Sequence, residues 1–515
     1  MFTRKNLICF ILFVFFSTTS WAQYNIAVNK SVVDSDELRG TYNSFFGLGI
    51  GWKYTTGSYN TFMGGQAGAS NKSGHRNTFL GVYAGFANTT GNRNVFLGVS
   101  AGRLNTWGVS NTFVGTDAGY SNQSGSGLTF LGESAGFRNS TGKENTFLGG
   151  WAGQENTYGS YNTFTGYGAG QKNSSGNANS FFGQQAGRYN TTGSMNAFMG
   201  AQAGLSNSTG HNNAFFGYKA GQANTTGHSN IFLGPVAGYS NKSGHDNIFI
   251  GREAGEANIG DSYSGNQNLF IGSQAGEKNT GSDNMYLGHQ TGMSATGVNG
   301  NTFVGSKAGM NNTTGYENTF IGWEAGVNNK TGSANTFLGP WAGYANETGA
   351  HNVFIGYNAG FFEKGSNKLY IAHDGTTTPL LYGEFDNKKL TVNGWLGIDT
   401  KNSEGGYKLS VNGGIRAKSI KVETSWADFV FADNYKLRPL SEVESFIKTH
   451  KHLPDVPSEA QVTKEGVDLG PMQATLLQKI EELTLYLLEM KRKQDLLNTK
   501  VEKLEFENAR LKGQR

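Results

Sequence analysis

The sequence predicts a mainly β protein whose central part is a parallel β-roll, a form of β-solenoid. A 17-residue motif that reads N-T-F-L-G-x-x-A-G-x-x-N-x-T-G-x-x repeats from residue 43 to residue 366. A unit this short cannot form a helical hairpin or bury its own apolar face, so successive units must stack. Glycine recurs at positions 5, 9 and 15 of the unit, a density that tight turns need and a helix does not tolerate. We therefore expect one or two short strands and tight turns in each unit.

The repeat is regular enough for every unit to be numbered. The step is 17 residues, except that 21 residues separate Asn247 from Asn268 and 16 separate Asn268 from Asn284. The first residues of the 19 units are Asn43, Asn60, Asn77, Asn94, Asn111, Leu128, Asn145, Asn162, Asn179, Asn196, Asn213, Asn230, Asn247, Asn268, Asn284, Asn301, Asn318, Asn335 and Asn352.

Position 3 of the unit predicts the core. It holds Phe in every unit except one, where Tyr286 takes its place. Stacked turns would set these rings about 4.8 Å apart in one continuous ladder. Asparagine at positions 1 and 12 suits the same geometry, because amides in register can bond along the stack and cap turns. The predicted core ladder is represented by Phe62, Phe79, Phe96, Phe113 and Phe147.

Position 4 predicts an interface between chains. It is apolar in nearly every unit, with Thr165 as an exception. Adjacent strand residues point to opposite faces, so position 4 must face outward if the phenylalanines point inward. An apolar stripe of this length on a protein in water indicates a contact surface, and we expect a homo-oligomer. The proposed interface residues include Leu80, Leu97, Leu131, Leu148 and Ile250.

These repeats resemble a known family. Short units with Asn, Gly and small residues, wound as a β-roll and trimerised along an apolar strand face, resemble the head domains of YadA-type trimeric autotransporter adhesins. The resemblance covers roughly residues 43–366. The whole layout also resembles the tail-fibre-like surface proteins of Bacteroidota that carry a C-terminal coiled coil. The resemblance implies a homotrimer with a structural or adhesive role.

The N-terminal residues 1–22 have the layout of a secretory signal peptide. A basic start precedes an apolar run over residues 7–16 and a small-x-small cleavage motif that ends at Ala22. The single cysteine, Cys9, lies inside this segment, so the mature chain would have none. Residues 23–42 form a leader. We expect export to the cell surface or the medium, with the periplasm as the alternative, and no transmembrane segment in the mature chain.

Two regions follow the repeats. Residues 367–425 contain the alternating runs LYIAHDG, LLYGEF, KLTVNG, YKLSVNG and SIKV between turn residues, which predicts a β-rich neck. Residues 426–471 form a mixed C-terminal module. Within it, Ser441 and Glu444 have the spacing of a capping box, which predicts a short helix over Ser441–Thr449.

The C-terminal residues 472–515 predict an α-helical coiled coil, because apolar residues keep an unbroken 4-3 spacing. Polar residues at two a positions, Gln494 and Asn508, would fix the register. The heptad pattern alone allows two strands or three, and the β-roll favours three. The predicted seam consists of Leu476, Ile480, Leu483, Leu487, Met490, Leu497, Val501, Leu504 and Leu511.

No pattern in the sequence predicts catalytic, cofactor-binding or metal-binding residues. His211, His228 and His245 share position 16 of successive units, so we expect them to stack about 4.8 Å apart. Stacked rings do not converge on one metal ion, and we interpret them as turn residues. His450 and His452 lie close to Asp455 in the sequence without a recognisable nucleophile. The sequence therefore predicts that the protein is not an enzyme and carries no cofactor.

Composition narrows the choice of partner. The chain has 42 Lys and Arg against 38 Asp and Glu, and the repeats contain no basic run, so we expect no nucleic-acid partner. The predicted function is that of an exported, oligomeric, fibre-like surface protein with a structural or adhesive role, which binds a glycan or a protein. One alternative is a phage-tail-fibre-like receptor-binding protein. Another is an ice-binding or other ligand-binding solenoid, although position 2 varies too much for a regular threonine array.

Overall fold

The structure, a computed structural model, describes residues 26–28, 39–51, 55–259, 264–401, 406–423 and 429–513. The chain divides into two compact units, residues 1–396 and residues 397–515. The predicted signal peptide, residues 1–22, and much of the predicted leader, residues 23–42, lie outside the described residues.

The first unit is a β-solenoid of about 21 turns with 17-residue repeats, which confirms the predicted fold class for this region. Each turn contributes one strand of three residues. Strands β1 to β20 are Ile26–Val28, Ser44–Phe46, Thr61–Met63, Thr78–Leu80, Val95–Leu97, Thr112–Val114, Thr129–Leu131, Thr146–Leu148, Thr163–Thr165, Ser180–Phe182, Ala197–Met199, Ala214–Phe216, Ile231–Leu233, Ile248–Ile250, Leu269–Ile271, Met285–Leu287, Thr302–Val304, Thr319–Ile321, Thr336–Leu338 and Val353–Ile355.

Every strand pairs in parallel with the strand of the next turn, and the register keeps each repeat position opposite itself. Phe62 lies opposite Phe79, and Phe79 lies opposite Phe96. Strand β1 lies within the predicted leader and extends the ladder by one turn before Asn43. The side chains of each repeat position therefore form one column along the solenoid.

Two glycines in each unit make this stacking sterically feasible. Gly81, at position 5, has φ +139°, and a Cβ atom there would lie 2.3 Å from the carbonyl oxygen of Gly98 in the next turn. Gly85, at position 9, has φ +57°, and a Cβ atom there would lie 2.5 Å from Cε2 of Phe79. The first glycine permits close approach of neighbouring turns, and the second leaves room for the core ring.

The phenylalanine column lies at the centre of the solenoid. From Phe62 to Phe147 the rings are fully buried, and neighbouring ring centroids are 4.7 to 4.9 Å apart. Tyr286 continues the column, and its hydroxyl oxygen accepts a hydrogen bond of 3.2 Å from Nδ2 of Asn279. Burial raises the pKa of Tyr286 above its ordinary value. The buried hydroxyl is thus satisfied, which explains why a tyrosine is tolerated here.

Two buried asparagine columns flank the rings. At position 12, Nδ2 of Asn88 donates to Oδ1 of Asn71 at 2.8 Å and to the carbonyl oxygen of Gly91 at 3.2 Å. At position 1, Nδ2 of Asn77 also donates to Gly91, at 2.9 Å, and Oδ1 of Asn77 accepts from the backbone N–H of Asn94 at 3.0 Å. The amides bond along the stack and close the turns, as the sequence predicted.

Leu128 interrupts the position-1 column. Its side chain is buried, and its backbone N–H donates to Oδ1 of Asn111 at 3.0 Å. An aliphatic side chain has no acceptor to offer the backbone N–H of Asn145 in the following turn. The side-chain hydrogen bonds of position 1 therefore stop at this turn and resume after it.

A short antiparallel segment follows the last repeats. Strand β21, Lys368–Ile371, is parallel to β20, whereas β22, Leu381–Glu384, and β23, Lys389–Val392, add to the sheet in antiparallel fashion. Strands β24, Leu396–Ile398, and β25, Leu409–Val411, form a separate two-stranded sheet. The predicted strand in the run SIKV is wrong, because residues 419–422 adopt no regular secondary structure.

The described part of the second unit contains three helices: α1, Leu440–His450, α2, Glu459–Glu465, and α3, Leu469–Lys512. The predicted capping box at the start of α1 is wrong, because the helix begins after Pro439 and has no side-chain cap. A capping box forms instead at α2, where Ser458 and Gln461 exchange hydrogen bonds. The 44-residue helix α3 confirms a C-terminal helix, and the coiled coil stays a prediction.

We expect Gly85→Ala to lower the free energy of unfolding by about 2–4 kcal/mol, because alanine at positive φ is strained and its Cβ would overlap Phe79. Gly65→Ala is the control, since a Cβ atom there would meet nothing within 4 Å. Thermal unfolding of both variants, followed by circular dichroism, checks the prediction. Equal melting temperatures for the two variants would contradict it.

Candidate functional site

The outer side of the strands is the most extensive candidate surface. In β4, Phe79 is buried while Thr78 and Leu80 on either side of it are exposed. The same alternation places positions 2 and 4 outward along β2 to β20, and we call these two columns the strand face. Leu80 and Leu97 are each 40% exposed. Leu131 is exposed too, while Leu148 and Ile250 are half-buried.

The two columns of the strand face differ in composition. Position 4 is aliphatic or aromatic in all turns but that of Thr165, whereas position 2 is mostly Thr near the two ends of the solenoid. From β11 to β16 position 2 also becomes apolar, with Ala197, Ala214, Ile231, Ile248, Leu269 and Met285. The middle turns therefore present two adjacent apolar columns in place of a regular threonine array.

Helix α3 carries a second apolar surface. All nine predicted seam residues, from Leu476 to Leu511, are exposed, and we call this surface the helix seam. The segment before the helix packs on a different side of it. The hydroxyl of Tyr435 donates to Oε1 of Glu482, and the hydroxyl of Tyr486 donates to the carbonyl oxygen of Arg438. Glu482 and Tyr486 occupy c and g positions, so the a and d positions are left open.

An ion-pair network holds this segment on the helix. Nζ of Lys479 lies 2.7 Å from Oδ2 of Asp455 and 2.9 Å from Oε2 of Glu482, and the Lys479 side chain is 12% exposed. Burial acts to raise the pKa of Glu482, but hydrogen bonds from Tyr435, Lys479 and Gln478 hold it below its usual value. Asp455 pairs with Lys479 and, at 3.7 Å, with Arg438, and no ion pair among the described residues joins it to His450 or His452.

The histidines at position 16 stack as the spacing predicted. The ring centroids of His211 and His228 are 4.9 Å apart, and those of His228 and His245 are also 4.9 Å apart. Nδ1 of His245 lies 2.8 Å from Oδ2 of Asp246. In the part of the chain that the structure describes, no three His, Cys, Asp or Glu side chains come together as metal ligands.

The repeat analysis did not group one set of aromatic side chains that come together in the fold. Trp323, Trp341 and Tyr357 come from three successive turns, with ring centroids 4.5 Å and 5.6 Å apart. They are separated by 18 and 16 residues, so they occupy positions 6, 7 and 6 of their units. A comparison at a strict spacing of 17 residues does not align them. A search for large aromatic residues at mixed spacing would find them.

No family model matches the chain, and no curated protein or solved structure matches it either. Among the described residues, no helix is both long enough and apolar enough to cross a membrane. The assignment of a function therefore depends on the surfaces described above.

We expect acid to destabilise the solenoid through His228. Burial, followed by the charges of His245 and His211, lowers the pKa of His228 from 6.5. As the pH falls through 6.5 the unfolded chain takes up the proton before the folded chain does, so stability present above this pH is lost below it. His228→Gln should therefore reduce the fall in melting temperature between about pH 7.5 and pH 5.5.

Thr209→Gln is the control for this measurement. Thr209 is exposed, lies two residues before His211 and carries no titratable group. This variant should keep the pH dependence of the wild-type melting temperature. Identical pH dependence in His228→Gln and wild type would show that the stacked rings do not cause the effect.

Proposed function

We propose that the protein is an exported, oligomeric, fibre-like surface protein with a structural or adhesive role and no catalytic activity. The observation that carries this proposal is the strand face, whose outward position-4 column is apolar in 18 of the 19 turns, Thr165 being the exception. Exposed apolar patches of this extent on proteins in water are contact surfaces. A surface built from one repeating unit fits a partner with the same repeat.

A second copy of the chain is that partner. At about 4.8 Å per turn the 19 strands span about 90 Å, and two outward columns with their side chains are about 10 Å wide. The resulting strip of about 900 Å² is similar to the roughly 800 Å² that each partner buries in a standard interface. Two solenoids of the same period can keep this contact in register along their whole length.

The helix seam supports the same arrangement. A chain with exposed a and d positions over several heptads gains stability by pairing with its own copies. The segment from Tyr435 to Asp455 contacts the helix at c and g positions, through Glu482, Tyr486 and Lys479, and leaves the seam accessible. A homo-oligomer would bury both the strand face and the helix seam. The resemblance to trimeric adhesins favours three copies.

Export and ligand binding complete the proposal. The segment at residues 1–22 directs the chain out of the cytoplasm, to the cell surface or the medium, with the periplasm as the alternative. At the surface, a rod of stacked turns would hold a binding surface away from the cell. The ligand is a glycan or a protein. The variable turn residues suit a display role.

Leu80→Asp combined with Leu97→Asp tests the strand face. Two charges on adjacent turns of the proposed interface should raise the concentration at half-dissociation at least about tenfold, which corresponds to about 1.4 kcal/mol. Light scattering of residues 23–515 over a dilution series gives the mass, and circular dichroism gives the melting temperature. The control is Thr90→Asp with Trp107→Asp, which adds two charges at position 14. Unchanged mass and melting in the Leu80 and Leu97 variant would contradict the proposal.

Leu483→Asp combined with Leu487→Asp tests the helix seam. Charges in two adjacent core layers of a coiled coil should weaken association at least about tenfold while the solenoid stays folded. Sedimentation velocity measures the mass, and near-ultraviolet circular dichroism reports the packing of the solenoid aromatics. Phe506→Asp is the matched control, because Phe506 is exposed but lies at an f position. Equal masses for the two variants would show that the seam is not a contact.

A further inference from the structure

The aromatic cluster near the C-terminal end of the solenoid has features that the strand face lacks. We call Trp323, Trp341 and Tyr357 the aromatic patch. Trp323 is 46% exposed and Tyr357 is 47% exposed, although each packs against Trp341. The core column at position 3 is complete in these turns without them. Their large apolar rings are therefore held at the surface, where packing of the fold does not require them.

Polar groups fix the central ring of the patch. Nε1 of Trp341 donates a hydrogen bond of 2.9 Å to Oε2 of Glu324. The other carboxylate oxygen of Glu324 lies 3.6 Å from Nζ of Lys307, one turn away. The Glu324 side chain is 17% exposed and that of Lys307 is 39% exposed. Glu324, an acceptor bonded to Trp341, and Lys307, a donor paired with Glu324, thus keep hydrogen-bonding capacity at the patch.

We propose that the aromatic patch binds the pyranose rings of a glycan. A pyranose has one face of C–H groups and an edge of hydroxyl groups. The C–H face packs on the electron-rich face of an indole or phenol ring, and the hydroxyl edge needs both acceptors and donors. The patch supplies both kinds of contact. Its orientation is set before binding by the Trp341–Glu324 hydrogen bond, which reduces the entropy lost on binding.

A smaller pair of rings has the same arrangement nearer the N-terminal end of the solenoid. Trp151 and Tyr167 occupy positions 7 and 6 of successive turns, as Trp341 and Tyr357 do, with ring centroids 5.1 Å apart. The two Trp residues are 11 turns apart by the repeat numbering, which corresponds to about 50 Å at about 4.8 Å per turn. A polysaccharide can contact both places at once, so that weak individual sites add to a stronger total attachment.

This inference deepens the proposed function, because it names the ligand class of the exported surface protein. It does not depend on the oligomeric state. The patch lies at positions 6 and 7 of the turns, whereas the proposed chain contact uses positions 2 and 4. Loss of sugar binding and loss of assembly are therefore separate measurements on the same protein.

The test uses residues 23–515 and a panel of hexasaccharides: cellohexaose, chitohexaose, xylohexaose and maltohexaose. Isothermal titration gives the affinity, and saturation-transfer NMR shows which sugar protons contact the protein. We expect at least one hexasaccharide to bind. Trp323→Ala should weaken that binding at least tenfold, and Trp323→Phe should retain part of it because a ring remains.

Trp107→Ala is the matched control. Trp107 is 64% exposed but lies at position 14, on a different part of the turn. Its removal should leave the affinity unchanged. Three results would overturn the proposal: no hexasaccharide binds the wild-type protein, Trp323→Ala binds as tightly as wild type, or Trp323→Ala lowers the oligomer mass without changing sugar binding. The last result would assign the patch to a contact between chains.

Discussion

The buried asparagine columns are the constraint on which the solenoid depends. A buried amide needs a hydrogen-bond partner. The position-12 amides bond to the position-12 asparagine of a neighbouring turn or to a glycine carbonyl of their own turn. A turn of another length disturbs this match. Near the 21-residue step, Oδ1 of Asn224 and Oδ1 of Asn241 have no hydrogen-bond partner among the described residues. The core rings stay stacked across this step, with the centroids of Phe249 and Phe270 4.9 Å apart, so the irregular turn disturbs the amides and not the ring column.

The same register determines which side chains the solenoid exposes to solvent. Since a three-residue strand directs its middle side chain inward, the two neighbours must face out, and a constant repeat turns them into continuous columns. This much of the candidate surface was predictable from position 4 alone. The grouping of the aromatic patch was not, because Trp341 is at position 7 while Trp323 and Tyr357 are at position 6, and their ring contacts appear only in the folded turns.

The fold was predictable wherever the repeat motif is intact and less so beyond it. Strand β1, Ile26–Val28, lacks the motif and belongs to the ladder only because an exposed strand edge at β2 accepts it. Residues 419–422 alternate like a strand but have no edge to pair with in the structure. The start of α1 shows the same limit. Ser441 and Glu444 have the right spacing, yet Pro439 favours an earlier start, and the capping box forms at Ser458.

The antiparallel strands β22 and β23 give the rod a defined end. A parallel ladder whose last strand is open can continue to add strands from other chains, as amyloid does. Here β21 is covered by a strand that runs in the opposite direction, so the in-register parallel stacking ends with it. The length of the rod is then encoded in the gene. In-frame duplication or loss of 17 codons would change the length of the rod by about 4.8 Å and leave strands β22 and β23 intact. Recombination between repeats can therefore adjust this length one turn at a time.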